Sequence, residues 1–412
     1  MLIDFSKWEE YPFRSYDGAN GAKKCLRHDQ QLFMVKIMNG TTHPMGAISE
    51  YLGCHIYELL RIPVQKTYLG KYSSHGKEYL AVACQDFCEQ GDRLNEFSTI
   101  RNAIIESSQS GHNKALLPIL LSIDEQWFVP AQELKERFWD MFVVDALIGN
   151  FDRHTGNFGI IANEVKQTNR IAPVYDCGSA LYPAPTDEQI SAILSSDDAL
   201  LERVYEFPAS TYRSPQGKKY FYHELLSSNA FSDCSDALRR LKPRIDDAMS
   251  DIHALVSDLD SSIVSDTRKR FYHTMLDLRK ERIIDFSYKE IQSRTPQSFS
   301  DQEEEIHQRE EFLKLEHPNL DGIEADYVHL YQHVVATIEN QTALHIRSSE
   351  IDAAVVAELR RKQKYSIDAI RQTVSAYSPL ALQYDDYAGK ILILAKEPRF
   401  QRFFAKANQD TR

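Results

Sequence analysis

Asp152, Asn157 and Asp176 place two carboxylates and a carboxamide in one short span, and Lys36 sits alone in an apolar run far upstream. Phosphoryl transfer from a nucleotide asks for such a set. It needs a carboxylate near the acceptor hydroxyl, oxygen ligands for a divalent ion, a lysine on the phosphates and a flexible loop over them. The stretch ALIGNFDRHTGNFGII (146–161) supplies Asp152 and, five positions later, Asn157, close enough for one loop turn to bring both into one cavity. His154 lies between them; imidazole suits bracing the loop as well as carrying a proton, and it stays with Asp152 and Lys36 among the catalytic candidates. Asp176, in IAPVYDCGSAL, follows an apolar segment and precedes a glycine-containing turn. Asn157 and Asp176 are therefore the candidate ligands for Mg²⁺, with Mn²⁺ as a substitute, and ATP is the expected nucleotide.

The Asp–x4–Asn spacing is that of the protein-kinase loop HRDxxxxN, and Asp176 stands where a DFG-type metal aspartate would. The nucleotide half belongs upstream. Lys36 lies in the strand-like FMVKI, and Glu50, on the next helical segment, is placed to hold it by an ion pair. Ahead of the strand, YDGANGAKKCL offers Gly18, Ala19, Asn20 and Gly21 as a loop whose N–H groups approach phosphate oxygens. Gln85, Asp86 and Phe87, in AVACQDFCEQGD, would join two lobes and line the nucleotide pocket. Taken singly, each feature has a plainer reading. Lys36 suits a solvent-facing strand position, Gly18 and Gly21 a turn, Glu50 a surface charge, and Asp152 with Asn157 an Asx turn. Their occurrence in the required chain order favours the joint reading.

The elements that must position these groups change character along the chain. Residues 1–90 read as strands with one helix: LFMVKIM, IPVQKTYLGKY and KEYLAVACQDF are strand-like. In AISEYLGCHIYELL, Ile48, Tyr51, Leu52, His55, Ile56 and Leu59 mark one buried helical stripe. From about Pro130 the pattern is helical, and AQELKERFWDMFVVDALIG becomes wholly apolar at its end, as a central helix would. Two long amphipathic segments follow, SDALRRLKPRIDDAMSDIHALVSDL and DTRKRFYHTMLDLRKERIIDFSYKEI. The polar run Ser293–Glu305 marks a boundary. Beyond it, residues 300–412 read as a small all-helical unit of unknown role, with one helix capped by Ser366.

Bulk properties narrow the function classes. The net charge of -12 argues against non-specific nucleic-acid binding over the whole surface. The N-terminus lacks the pattern of a signal peptide, and no apolar run is long enough to span a bilayer. The six cysteines form no paired knuckles and read as reduced thiols of a cytoplasmic protein.

GNFDRHTGNFGII followed by APVYDCGSALYP resembles the catalytic segment of HipA-like serine/threonine kinases, and FPASTYRSPQGKKYFYHELLSS is similar to a segment of short members of that family. The order DRHxxN, unlike HRDxxxxN, is shared with phosphoinositide kinases. The resemblance covers roughly residues 10–290. It implies an α+β, two-lobed protein-kinase-like fold: a β-rich N-lobe (1–90), a helical C-lobe (91–292), then the all-α unit. It implies ATP- and Mg²⁺-dependent transfer to Ser or Thr of a protein, with Asp152 catalytic, Asn157 and Asp176 on the metal, and Lys36 on the phosphates beside Glu50. Toxin-type action, an antitoxin partner and an aminoacyl-tRNA synthetase as target belong to the family. The loop here has Ser15 ahead of its glycines and no serine between them, which puts autoinhibition by loop phosphorylation in doubt. The chain also starts without the long N-terminal subdomain of full-length HipA, so it reads as a compact variant whose antitoxin contact does not follow.

Two rival functions remain. A lipid or small-molecule kinase would share DRHxxN, but a membrane substrate calls for a basic or amphipathic surface that the sequence lacks. A catalytically silent binding module is disfavoured by intact Lys36, Asp152, Asn157 and Asp176. Nucleic acid is expected only through the C-terminal unit, where Glu358–Lys364 would touch it if two helices formed a helix-turn-helix.

Overall fold

Residues 31–37 alternate Phe33, Val35 and Ile37 on one face with Met34 and Lys36 on the other, and this alternation makes a strand with two different surroundings. The computed structural model describes residues 2–14, 22–104, 114–214, 217–228 and 230–293. The glycine loop (Gly18, Ala19, Asn20, Gly21, with Ser15) and the 300–412 unit, including Ser366 and Glu358–Lys364, lie outside them. The chain divides into two compact units: residues 1–114, 123–213 and 219–295 in one, and 115–122, 214–218 and 296–412 in the other. The account below concerns the first.

In chain order the strands and helices begin with β1 (Ile3–Asp4), β2 (Glu9–Glu10), β3 (Ala22–His28), β4 (Gln31–Ile37), α1 (Gly46–Leu59), β5 (Thr67–Ser74) and β6 (Lys77–Gln85). Then come β7 (Asp92–Glu96), α2 (Phe97–Ile104), α3 (Leu116–Glu125), α4 (Ala131–Ile148), β8 (Gly159–Asn163) and β9 (Thr168–Ile171). Helices α5 (Asp187–Leu194), α6 (Asp197–Tyr205), α7 (Tyr222–Ser228), α8 (Ser232–Ser257), α9 (Asp266–Arg279) and α10 (Phe286–Ser293) complete the described part.

The first sheet runs β1-β5-β6-β4-β3-β2, with all neighbours antiparallel except β1 beside β5. Phe33, Val35 and Ile37 meet Phe5, Leu26, Ala81 and Ala83 in a core on one face. On the other face Val82 and Cys84 pack against Ala47 of α1, with Met34, Tyr51 and Leu69 around them. Lys36 shares that second face, so the alternation of β4 points it towards α1. The helix is more deeply buried than its expected stripe. Ile48, Leu52 and Ile56 are buried, Tyr51, His55 and Leu59 only partly so, and Ser49, Glu50, Gly53 and Cys54 are buried as well.

The chain beyond Pro130 is not uniformly helical. β7, β8 and β9 form a three-stranded antiparallel sheet, because Gly159–Asn163 alternates poorly but pairs on both edges. Helix α4 does become fully buried over Met141–Ile148 and stops at Gly149, whose φ of 63° is the left-handed C-cap conformation that glycine adopts without penalty. The first long amphipathic segment is α8, continuous through Pro243; the second is α9 and α10, joined by one π turn at Lys280–Asp285. No helix of the described residues is long and apolar enough to cross a membrane.

Gly53 shows how tightly α1 is held: a Cβ there would lie 2.6 Å from the Cβ of Cys177. Alanine is the better helix former by about 1 kcal/mol, yet Gly53→Ala is expected to lower stability in urea titration by about 1–3 kcal/mol through overpacking. A gain in stability would show that the helix has room to move.

Candidate active site

Lys36 Nζ lies 2.7 Å from Glu50 Oε2 and 2.8 Å from Asp176 Oδ1. Strand β4, helix α1 and the segment after β9 thus meet on one ammonium. Glu50 is fully buried, and its Oε1 accepts the Cys177 N–H at 3.1 Å. Burial works against the lysine's charge, but Asp176 and Glu50 outweigh it and hold its pKa well above that of an ordinary lysine. Lys36 in turn holds Asp176 down at about 2 against the cost of burial. Asp176 also adopts φ 59°, the left-handed region that is uncommon for a residue with a Cβ and recurs at functional sites.

Asp152 and Asn157 belong to the loop between α4 and β8. The Asn157 Nδ2 donates to the Asp152 carbonyl at 2.8 Å, which fixes the amide against the loop's own main chain. Asp152 keeps about 40% of its side chain exposed. Burial raises its pKa above the usual carboxylate value, against the opposing pull of His154 and then Lys114. His154 Nδ1 accepts the Gly156 N–H at 3.0 Å, while Nε2 stands 3.9 Å from Asp152 Oδ2. The ring therefore braces the loop with one nitrogen and faces the carboxylate with the other.

Arg153 is almost wholly buried and ties three segments together. Its Nε donates to Asp145 Oδ2 of α4 at 2.9 Å, and its Nη1 donates to the carbonyls of Asn157 at 3.0 Å and Tyr175 at 2.5 Å. Asp145 also accepts from Tyr57 OH at 2.9 Å and Asn150 Nδ2 at 3.0 Å. The main chain of Asn157 and that of Tyr175, the residue before Asp176, are thus fastened to one guanidinium.

The connecting segment after β6 lies where its N–H groups serve the sheet: Gln85 donates to the Lys66 carbonyl and Asp86 to the Leu32 carbonyl, both at 2.8 Å. Asp86 also holds Arg14 at 2.8 Å, just before the glycine loop. The Phe87 ring stands 5.8 Å from that of Tyr175, the residue before Asp176. Lys36, Glu50 and Asp176 are therefore brought into contact, Asp152 and Asn157 share a second cluster, and Phe87 reaches the first through Tyr175. A cavity of about 580 Å³ behind α1, lined by Cys54, His55, Glu58 and Gln65 among others, contains none of these residues.

Comparison with known proteins bears directly on this arrangement. Residues 15–254 match the profile of the HipA-like C-terminal domain. The serine/threonine-protein kinase CtkA of Helicobacter pylori is 41% identical over 292 residues, which cover 69% of this chain and 87% of that protein. The chain belongs to the HipA-like family. It is a serine/threonine protein kinase of that family. The crystal structure described as a proinflammatory kinase CtkA of H. pylori superposes with a TM-score of 0.66 at 40% identity, covering 70% of this chain and 98% of that one. The HipA of Shewanella oneidensis MR-1, in complex with HipB and operator DNA, gives a TM-score of 0.39 at 13% identity over 68% of this chain and 70% of that one. The α+β fold seen here is accordingly that of the CtkA kinase.

Within this HipA-like kinase, the sequence pattern missed three groups. Asp145 lies in a helix whose end reads as wholly apolar, although a charge inside such a run has to be paired. Lys23 stands directly opposite Lys36 across the β3–β4 pair and so shares its face, whereas the next residue, Lys24, bonds Glu10 at 3.0 Å. Burial and then the Lys36 charge lower the Lys23 pKa. Lys114 acts on Asp152 from a segment without any motif.

Breaking the buried Asp145–Arg153 pair from one side leaves a charge without its partner. Arg153→Met is expected to cost about 3–5 kcal/mol in denaturant titration. The double variant Arg153→Met, Asp145→Leu should recover part of that stability without recovering phosphoryl transfer. A single variant within 1 kcal/mol or so of wild type would show the pair to be dispensable.

Proposed function

We propose that this HipA-like kinase transfers the γ-phosphate of ATP to a serine or threonine of a protein, with Asp152 orienting the acceptor hydroxyl and accepting its proton. Lys36, positioned by Glu50, contacts the nucleotide phosphates. Phe87 and Tyr175, with Gln85 and Asp86 behind them, border the base, and Gly18, Ala19, Asn20 and Gly21 cover the phosphates. Residues 1–90 serve nucleotide binding and 91–292 carry the catalytic loop. The observation that carries the reading is the Lys36–Glu50–Asp176 contact, in which three segments far apart in sequence meet within 2.8 Å.

The donors also suit a hard cation. The oxygen of Asn157, with its amide nitrogen committed to the loop, and the half-exposed Asp176 carboxylate are the groups that would hold Mg²⁺. Among the described residues no cluster of three His, Cys, Asp or Glu could hold an ion by itself. Magnesium in kinases needs none, since one or two protein oxygens and the substrate phosphates suffice. When bound, the ion would offset charge developing on the phosphates.

Lys23, facing the same cleft as Lys36, supplies a second cation to those phosphates. Toxin-type action on a translation protein is the finer form of the proposal, supported by family membership; growth arrest by wild type but not by Asp152→Ala would support it, and arrest by both would remove it.

Two experiments address the site. Asp152→Ala should lower kcat by about 10²–10⁴-fold, the usual contribution of a positioned general base, with KM for ATP nearly unchanged. Because the base works ionised and its pKa is raised, wild-type kcat should fall with decreasing pH at a point above that of an ordinary aspartate. His154→Gln removes the neighbour that opposes this rise, so the acid limb should move to higher pH. Full activity of Asp152→Ala would end the assignment. Separately, Lys23→Met should raise KM for ATP about tenfold, the scale of one charged hydrogen bond, while Lys23→Arg should not; equal KM values for all three proteins would place Lys23 outside the nucleotide site.

A further inference from the structure

The residue before Asp152 is Phe151, and its ring is packed 5.3 Å from that of Phe207. On its other side the His43 ring meets Phe151 edge-on at 5.8 Å. Three rings from three separate segments therefore line up beside the catalytic loop: the turn before α1, the loop itself and the turn after α6. The placement of Phe207 is fixed from below, because Pro208 stacks against Gly149, where a Cβ would already lie 3.1 Å from the proline ring.

Phe207 nevertheless keeps 41% of its surface exposed. Scattered apolar residues on a surface need no explanation. This one differs in location, since it is continuous with the residue that flanks the proposed base. Of the charged groups nearby, Arg203 and Glu202 pair with each other at 3.9 Å, Glu206 is exposed beside Phe207, and Lys114 acts on Asp152. The rings of Phe207 and Phe151 add an apolar surface among these charges.

We propose that Phe207 and Phe151, with His43 at their edge, seat an apolar side chain of the polypeptide substrate one to three residues from the acceptor hydroxyl. The inference rests on the assignment of Asp152 to that hydroxyl. An extended substrate advances about 3.3–3.6 Å per residue, so a ring stacked on the neighbour of Asp152 is within reach of side chains that close to the acceptor and not of distant ones. An apolar side chain laid on two phenyl rings removes exposed apolar surface from both partners. A charged one laid on the same rings would lose hydration against them. The same geometry limits the substrate to a segment that lies extended across the loop, as part of a flexible tail or an exposed turn.

The test is a degenerate peptide library with a fixed serine or threonine acceptor, phosphorylated by wild type, Phe207→Leu, Phe207→Lys and Asp152→Ala. Wild type should select an apolar residue at one position within three of the acceptor, and Phe207→Leu should keep that selection. Phe207→Lys should lose about tenfold in kcat/KM on the selected peptide, the scale of one apolar contact in a specificity pocket. It should also gain an acidic preference at that same position, with KM for ATP unmoved. A wild-type profile retained by Phe207→Lys, no apolar selection near the acceptor, or transfer to folded proteins but to no peptide would each overturn the proposal. If Phe207→Lys melts well below wild type, Phe207→Ser takes its place and must lose the selection. Undiminished transfer by Asp152→Ala would instead remove the reading of the site on which the proposal stands.

Discussion

A buried ion pair between Asp145 and Arg153 is the interaction on which the rest of the site depends. Neither side chain is more than 2% exposed, so each charge would be untenable without the other. The pair survives burial because nearly every polar atom finds a partner: Asp145 accepts from Arg153, Tyr57 and Asn150, and the guanidinium also serves two carbonyls. The planar fork of arginine is what makes this feasible. A lysine could reach Asp145, but a single ammonium would not reach the Asn157 and Tyr175 carbonyls from that position with the same directionality. The loop that carries Asp152, the segment leading to Asp176 and helix α4 are consequently tied together.

The second cluster, Lys36 with Glu50 and Asp176, joins that piece to the sheet and to α1. Both clusters meet at Cys177. Its N–H donates to Glu50, and its sulfur accepts from Arg153 Nη2 at 3.4 Å. Helix α1 approaches the same residue closely enough that position 53 has no space for a Cβ. A displacement of α1 would therefore be felt at Asp176 through Glu50 and through packing at once. The large burial of Glu50 follows from this geometry, since a carboxylate between a lysine and a main-chain N–H has its charge compensated on both sides.

Much of this was legible because spacing carries it. The step of five positions from Asp152 to Asn157, an apolar strand around Lys36 and a helix bearing Glu50 are local features, and local features appear in sequence. The opposite holds for Lys23 and Asp145. Lys23 and Lys24 are adjacent and look alike; only the β3–β4 register decides which faces Lys36. Asp145 lies in a run that reads simply as buried helix, and its partner is determined by how the loop folds back on α4. The strands β8 and β9 were obscured for a related reason, since they are short and β8 pairs on one edge with β7, an element distant in sequence, and on the other with β9. Glu50 was legible as a partner of Lys36 but not as a buried one, because the helical stripe marks only one of the two faces that α1 buries.

The charge balance of the cleft follows from the same contacts. Lys23 and Lys36 face Glu50 and Asp176, two cations against two carboxylates, in a protein whose net charge is -12. The cluster is therefore close to neutral within a chain of net negative charge. Asp176 engages Lys36 through Oδ1. Glu50 is fully buried and held by the Cys177 N–H as well as by Lys36. Of the two carboxylates on this lysine, one is enclosed and the other is half exposed in a left-handed backbone conformation. Glu50 is enclosed because the face of α1 that carries it packs on the sheet, next to Lys36.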